Sequence, residues 1–224
     1  MIPWELLDTI PATAEYGELR LYRRGAEYSI RVDNYELMNS RMHSSEEALA
    51  TLTCARLPEK SWILIGGLGM GYTIAAALMN LDTDAHVVVS ELSSKVVEWN
   101  RGPLGELAGR PMDDPRVEIR VEDVARIIKE KSRAYNAILL DIDNGPETLS
   151  GGARNRLYSK TGLKEIKNAL RPGGVFALWS SYSNPAFTRQ LQGAGFDAEE
   201  VGIRAHGEKG KKHTIWIAQK SARV

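Results

Sequence analysis

The sequence is short of features that would mark it as a secreted or membrane protein. Only one of its 224 residues, Cys54, is a cysteine, so an intramolecular disulfide is impossible and a reducing compartment is expected. No window approaches the roughly 18 apolar residues that a membrane helix needs, and the first residues lack the basic start and apolar stretch of a signal peptide. We therefore expect a cytoplasmic protein that has no membrane partner.

The sequence also lacks an excess of charge of either sign. Its 29 Lys and Arg residues balance 29 Asp and Glu residues, which gives no electrostatic reason to expect a nucleic acid as partner. The one basic cluster, residues 204–213, is interpreted as the solvated tip of a strand pair. Apolar residues, in contrast, make up 43% of the chain. That is enough for the core of one large domain, or of one domain with a small appendage.

The hydrophobic pattern changes near residue 57. Before it, segments 18–23 and 27–32 alternate in period two and predict a β-hairpin. Ser44 and the acids that follow it then predict the start of a helix. After residue 57, short apolar strands alternate with helices. We therefore divide the chain into an N-terminal hairpin and helix region, residues 1–57, and an α/β domain, residues 58–224, that the motifs below identify as nucleoside-binding.

The hydrophobic pattern of residues 58–224 predicts five βα units and a final pair of strands. The predicted strands span 62–65, 86–90, 116–121, 136–140, 175–179, 198–204 and 213–218, and the predicted helices span 72–79, 93–100, 124–131, 156–170 and 185–194. Continuous apolar runs, rather than alternation, favour a parallel sheet covered by helices on both faces. We expect an α/β fold with a doubly wound, mostly parallel seven-stranded sheet, which binds ligands at the carboxyl ends of its strands.

A glycine-rich loop follows the first strand of this sheet and contains Gly66, Gly67, Gly69 and Gly71. Glycine lets the backbone turn sharply and lets a ligand come close, and the helix after the loop presents unpaired N–H groups. A dinucleotide motif requires G-x-G-x-x-G, but Tyr72 stands where its third glycine would fall. The shorter spacing favours a ligand without a pyrophosphate and disfavours a nicotinamide dehydrogenase.

Acidic residues follow the next three strands. Glu91 ends the second strand, where a carboxylate can accept hydrogen bonds from both ribose hydroxyls. Glu122 and Asp123 follow the third strand, and one of them can bind an adenine amino group or cap the next helix. Asp141 and Asp143 follow the fourth strand, where their mutual repulsion calls for a cation or an amine. Asp141, directly after the strand, is the better candidate for the pocket.

Together these motifs resemble the S-adenosylmethionine-dependent methyltransferase fold, and within it most closely the spermidine synthases. The resemblance covers about residues 17–219 and is carried by residues 62–71, 91, 121–123, 135–141 and 170–175. It implies a class I methyltransferase-like Rossmann fold that uses S-adenosylmethionine, or its decarboxylated form, as group donor without a metal. In spermidine synthases, an aminopropyl group passes from the decarboxylated donor to putrescine. The aspartate that matches Asp141 orients and helps deprotonate the amine, and the acids that match Glu91 and Asp123 hold ribose and adenine.

The sequence departs from the spermidine synthase pattern at three places. Met70 stands where the family's loop has an aspartate, and Ser45 lies near the position of the tyrosine that works with the catalytic aspartate. The loop after Asp141 is also shorter than in the family. His43 and Glu46 are nearby polar residues that can take the tyrosine's place. Alternatively, they only cap a helix and lie on its solvent-exposed face.

We predict a transferase of the spermidine-synthase-like branch that acts on a small amine or another small acceptor. A homodimer is compatible with this prediction. Two alternatives stay open at this point: an S-adenosylmethionine-dependent methyltransferase that uses the same loop and Glu91, and a non-catalytic module that retains the nucleoside pocket.

Overall fold

The computed structural model describes residues 2–13, 17–33, 35–142, 156–206 and 209–222. The chain forms two compact units, Met1–His43 and Ser44–Val224. The boundary between the two units thus lies before the helix Ser44–Cys54, whereas the sequence pattern placed it after this helix, at residue 57. The helix packs within the larger unit. This helix buries an apolar face that includes Leu49 and Ala50, and burial of that face against the larger core explains why the helix belongs there.

The smaller unit is an antiparallel sheet of four strands in sequential order. They are β1 (Glu5–Ile10), β2 (Leu19–Arg24), β3 (Glu27–Val32) and β4 (Tyr35–Asn39). The predicted hairpin is β2 and β3, in which the buried Leu21 and Ile30 face each other. The two outer strands were not predicted, because neither segment alternates strictly between apolar and polar residues.

The larger unit is built on a seven-stranded sheet. Its strands are β5 (Trp62–Gly66), β6 (His86–Glu91), β7 (Val117–Val121), β8 (Tyr135–Leu140), β9 (Leu170–Ser180), β10 (Phe196–His206) and β11 (Lys209–Lys220). Their order is β10-β11-β9-β8-β5-β6-β7, and β11 is antiparallel to both of its neighbours. The other neighbouring strands are parallel. The predicted doubly wound, mostly parallel seven-stranded sheet is confirmed.

Six α-helices accompany the sheet in the described part of the chain. They are α1 (Ser44–Cys54), α2 (Tyr72–Asn80), α3 (Ser94–Arg101), α4 (Val124–Glu130), α5 (Lys160–Ala169) and α6 (Pro185–Gly193). Side chains of Ser93, Asp123, Ser159 and Asn184 accept hydrogen bonds from the first turns of α3, α4, α5 and α6. Ser159 therefore sets the start of α5 later than the predicted Arg156. Among the described residues, no helix has both the length and the apolar character that crossing a membrane requires.

The chain reverses its direction of travel across the sheet between β5 and β8. From β5 it proceeds outward to β6 and β7, and it then returns to place β8 on the other side of β5. In sheets of this type, ligands bind in the crevice at the carboxyl ends of the two strands that flank such a switch point. Gly66 ends β5 and Asp141 follows β8, so both predicted motifs meet there.

Candidate active site

The glycine loop and the end of β8 are in direct backbone contact. Asp141 N donates to Gly66 O at 2.9 Å, and Gly67 N donates to Ser90 O at 2.8 Å. Gly67 has φ 94°, and a Cβ atom at this position would lie 2.2 Å from the backbone oxygen of Asp141. Only glycine allows both this left-handed conformation and this approach. The loop sequence thereby fixes the position of Asp141 beside the crevice.

The second half of the loop leads directly into α2. Gly69 and Gly71 have φ 52° and 86°, and Gly71 is the residue that precedes the first turn of α2. Asn100 on α3 donates from Nδ2 to Gly69 O at 2.8 Å and so holds the loop against α3. Met70 is 1% exposed, so the side chain at this position of the loop is apolar and buried. Helix α2 thus begins directly at the loop, and the start of a helix is a favourable position for polar or anionic groups of a ligand.

Glu91 lies against the glycine loop, where the sequence analysis expects the ribose. Its Oε2 accepts from Leu68 N at 3.1 Å, and its Oε1 accepts from Ser93 N at 3.0 Å. These two bonds fix the carboxylate between the loop and α3. The side chain is only half-buried. The arrangement can accept hydrogen bonds from a diol.

Glu122 and Asp123 follow β7, next to Glu91. Glu122 N donates to Glu91 O at 3.0 Å, and the Glu122 carboxylate pairs with Arg126 at 3.3 Å. Asp123 is exposed, and its Oδ1 accepts from Ala125 N at 2.9 Å as the cap of α4. Of the two compatible roles expected for these acids, the helix cap is present at Asp123. Binding of an adenine amino group by either acid stays a prediction.

Asp141 is the predicted carboxylate nearest the switch point. Its Oδ2 accepts a hydrogen bond from Thr73 Oγ1 on α2 at 2.7 Å. Burial raises the pKa of Asp141 to about 6, against the opposing effect of the Thr73 hydroxyl. A carboxyl group with such a pKa is poised to take a proton near neutral pH. Asp143, the second predicted catalytic residue, lies outside the described residues.

A second acid, Glu46 on α1, interacts with the negative charge of Asp141. It is 7% exposed, and its Oε2 accepts from Ser45 Oγ at 2.6 Å. Burial, followed by the negative charge of Asp141, raises the pKa of Glu46 to about 7, while the Ser45 hydroxyl opposes this change. Thr73 Oγ1 also lies 3.5 Å from the Glu46 backbone oxygen. Two carboxyl groups, Glu46 on α1 and Asp141 after β8, therefore interact electrostatically.

His213 on β11 adds a further polar side chain to this group. Its Nδ1 lies 2.9 Å from Ser45 Oγ, and its ring packs edge-on against Trp179 with 4.8 Å between ring centroids. Neither Thr73 nor His213 was predicted from the sequence as a site residue. Neither follows a strand directly, so the rule that selected Glu91 and Asp141 passes over both.

Glu46→Gln is expected to unfold at higher temperature than the wild type at pH 8, but not at pH 4.5. The folded state favours protonated Glu46, so the wild type keeps its full stability below the ordinary carboxyl pKa and loses stability as pH rises through about 7. The loss is at most about 3 kcal/mol, and glutamine avoids it while still accepting from Ser45. Thermal unfolding at both pH values measures the difference.

Glu47→Gln is the matched control, because it removes the same charge from the adjacent, less buried position of α1. The expectation requires a larger stability gain at pH 8 for Glu46→Gln than for the control. Equal stability of Glu46→Gln and the wild type at pH 8 would contradict it.

Solved structures with a similar fold include spermidine synthases. The spermidine synthase from Thermotoga maritima superposes with a TM-score of 0.76 over 97% of this chain and 73% of its own, at 16% sequence identity. A spermidine synthase in complex with the transition-state analogue AdoDATO superposes with a TM-score of 0.79 over 97% of this chain and 74% of its own, at 17% identity. At these identities the likeness concerns the fold.

Sequence relatives carry the name polyamine aminopropyltransferase. The protein from Prochlorococcus marinus (strain MIT 9313) is 28% identical over 150 residues, which are 66% of this chain and 49% of the relative. The protein from Bacillus subtilis (strain 168) is 29% identical over 134 residues, 60% of this chain and 45% of the relative. The matched region thus spans about half the length of these relatives.

The profile of the spermine/spermidine synthase domain matches residues 42–191. This range contains the glycine loop, Glu91, Asp141 and the α1 acid Glu46, and it covers more than half of the chain. Together with the fold, it identifies the family that the motifs of the sequence resemble. The chain belongs to the spermine/spermidine synthase domain family.

Proposed function

We propose that this protein is a transferase that moves an aminopropyl, or a related, group from decarboxylated S-adenosylmethionine to an amine acceptor. The observation that carries the proposal is the position of Asp141. Its carboxyl group has a pKa raised to about 6, and the backbone hydrogen bond to Gly66 holds it beside the glycine loop. A base for the amine and a loop for the nucleoside therefore meet at one switch point.

The donor site consists of the glycine loop and Glu91. The loop allows the adenosyl part to approach the backbone, and the Glu91 carboxylate, fixed by Leu68 and Ser93, accepts hydrogen bonds from the two ribose hydroxyls. Asp123 or Glu122 follows the neighbouring strand and is proposed to bind the adenine amino group. The reactive sulfonium then lies toward Asp141, on the other side of the loop.

The chemistry requires a base. An amine is protonated at neutral pH and must lose a proton before its lone pair can attack the carbon attached to the sulfonium. Asp141 accepts that proton, the new C–N bond forms as the C–S bond breaks, and the sulfur leaves as the thioether of methylthioadenosine. The raised pKa of Asp141 brings its basicity close to the working pH, which favours proton transfer in both directions.

Glu91→Ala is expected to weaken the binding of methylthioadenosine by about tenfold or more without unfolding the protein. A lost hydrogen bond to a charged group amounts to roughly 1.5–3 kcal/mol. Titration calorimetry measures the affinity, and Glu98→Ala serves as the control, because this acid lies on nearby α3 and pairs with Lys95 at the surface. Unchanged affinity in folded Glu91→Ala would remove Glu91 from the donor site.

Putrescine is expected to be a poor acceptor, with turnover below about 1 s⁻¹, the low end of ordinary enzyme rates. A diamine carries two positive charges, and a dedicated pocket must hold one end while it deprotonates the other. Of the described carboxyls, Glu46 interacts with the charge of Asp141, so these two acids serve the same end of a diamine. Met70 is buried and apolar, and Ser45 offers a hydroxyl that already contacts Glu46 and His213.

The putrescine assay combines purified protein, decarboxylated S-adenosylmethionine and millimolar putrescine, and it follows release of methylthioadenosine over time. A panel of monoamines and bulkier amines runs in parallel. Turnover with putrescine at about 1 s⁻¹ or faster would overturn the expectation and make putrescine the natural acceptor.

A thermal-shift panel tests the donor. We expect methylthioadenosine and decarboxylated S-adenosylmethionine to raise the melting temperature, since a ligand that binds only the folded state stabilises it. NAD is expected to have no effect, because the loop lacks the third glycine of the dinucleotide motif. A shift with S-adenosylmethionine but none with its decarboxylated form would instead favour a methyltransferase.

A further inference from the structure

The proposed reaction releases one proton per turnover. The donor's sulfonium and the acceptor's ammonium each carry one positive charge, and the donor's terminal ammonium is unchanged. The products are a neutral thioether, a secondary ammonium with one charge, and one proton. Asp141 takes this proton first and must lose it before the next cycle. On the basis of the proposed function, a route for this proton must therefore lead from Asp141 to solvent.

Asp141 and His213 lie on the same face of the sheet, near the carboxyl ends of β8 and β9. Leu140 on β8 pairs with Leu178 on β9, so Asp141 and Trp179, the next residues, are side by side. Trp179 pairs with Ile215 on β11, and His213 is two residues from Ile215, on the same face of the strand. Helix α1 packs against β8, β9 and β11.

Helix α1 connects the two ends of this row. Glu46 interacts with the charge of Asp141, and Ser45 Oγ contacts both Glu46 Oε2 at 2.6 Å and His213 Nδ1 at 2.9 Å. Ser45 and Glu46 are buried, whereas His213 is only half-buried. The contacts therefore lead from the interior of the crevice toward solvent.

We propose that Glu46, Ser45 and His213 form a proton relay that carries the proton from Asp141 to solvent. While Glu46 is ionised, the Ser45 hydroxyl donates to its carboxylate. Once Glu46 takes the proton from Asp141, this bond reverses: Glu46 donates to Ser45 Oγ, the Ser45 hydroxyl hydrogen passes to His213 Nδ1, and the imidazolium releases a proton from Nε2 to water. Proton exchange with water then returns the neutral ring to its Nε2–H tautomer for the next cycle. A serine hydroxyl suits this role because it donates and accepts at the same time. The relay residues act through Asp141 and do not themselves attack the substrate.

The other titratable groups near Glu46 do not interrupt the relay. Tyr72 on α2 and Glu47 on α1 are electrostatically close to one another, and Tyr72 is also close to Glu46. Burial raises the pKa of Tyr72 to about 12, so its phenol stays protonated across the working range. Glu47 adds negative charge beside Glu46, which favours proton uptake by Glu46 from Asp141.

Chemical rescue tests the relay in turnover. His213→Ala is expected to lower kcat by about 10²-fold at pH 7, with KM for the amine unchanged, and added imidazole is expected to restore activity in proportion to its free-base concentration. Ser45→Thr, which keeps a hydroxyl, is expected to retain more activity than Ser45→Ala. His86→Ala is the control, because His86 stacks on Trp62 at the amino ends of the strands, away from the candidate site. This variant should lose little activity and show no rescue by imidazole.

A measurement without turnover separates failure of the relay from failure of the proposed function. In ¹⁵N-histidine NMR, assigned among the four histidines with His213→Gln, the Nδ1 signal of His213 should show a second inflection when Glu46 titrates, and Glu46→Gln should remove it. Wild-type kcat in His213→Ala, or an Nδ1 titration that Glu46→Gln leaves unchanged, would overturn the relay. An intact NMR coupling in a protein that releases no methylthioadenosine would overturn the proposed function alone.

Discussion

Asp141→Asn is expected to lower the turnover number by about 10²-fold or more while methylthioadenosine still binds as in the wild type. Asparagine keeps the shape of the side chain and can still accept from Thr73, which donates to Oδ2 at 2.7 Å in the wild type. It cannot take a proton from the amine, however, so the reactive neutral form of the acceptor is no longer produced in the site. Single-turnover release of methylthioadenosine measures the chemical step, and calorimetry measures binding.

Asp84→Asn provides the control for this change. Asp84 lies in the turn before β6, at the amino ends of the parallel strands and so on the opposite side from the candidate site. It pairs with Lys60 at 3.2 Å. The same chemical substitution there is expected to leave turnover unaffected. Near wild-type turnover in folded Asp141→Asn would make Asp141 a structural residue and would favour a methyltransferase that needs no carboxylate base.

Gly67→Ala is expected to destabilise the protein by about 4 kcal/mol or more, in the range reserved for severe substitutions. The new Cβ would lie 2.2 Å from the backbone oxygen of Asp141, and φ 94° is a conformation that alanine avoids. Relief requires the loop and the end of β8 to separate, which also displaces Asp141. Thermal unfolding is expected to show a melting temperature lower by about 10 °C.

Gly193→Ala is the matched control for the glycine substitution. Gly193 is the last residue of α6, and a Cβ atom there meets nothing within 4 Å. Alanine favours helix more than glycine does, so this variant is expected to be as stable as the wild type or slightly more stable. A melting temperature for Gly67→Ala equal to that of Gly193→Ala would show that the loop does not need its close approach to β8.

The sheet and the glycine loop could be predicted because they depend on local pattern. Continuous apolar runs identified the parallel strands, and the residues directly after those strands include Glu91 and Asp141, which lie beside the loop in the structure. The outer strands β1 and β4 escaped prediction because neither segment alternates strictly between apolar and polar residues. The same strand-end rule that found Asp141 also gave Asp143, which lies outside the described residues.

The polar partners of Asp141 could not be predicted in the same way. Thr73 reaches Asp141 across 68 positions of sequence and Ser45 reaches His213 across 168, so each contact depends on how helices pack on the sheet. Glu46 was noticed as a polar residue at the start of α1. Its interaction with Asp141 follows from the packing of α1 over β8 and β9, which no periodicity in the sequence specifies.

The most direct measurement of the central claim is the rate of methylthioadenosine release from decarboxylated S-adenosylmethionine by the wild-type protein, with and without an amine acceptor. The account predicts release that depends on the amine and produces an aminopropylated product in equal amount. Release that is the same without amine, or no release with any amine together with methyl transfer from S-adenosylmethionine, would contradict it.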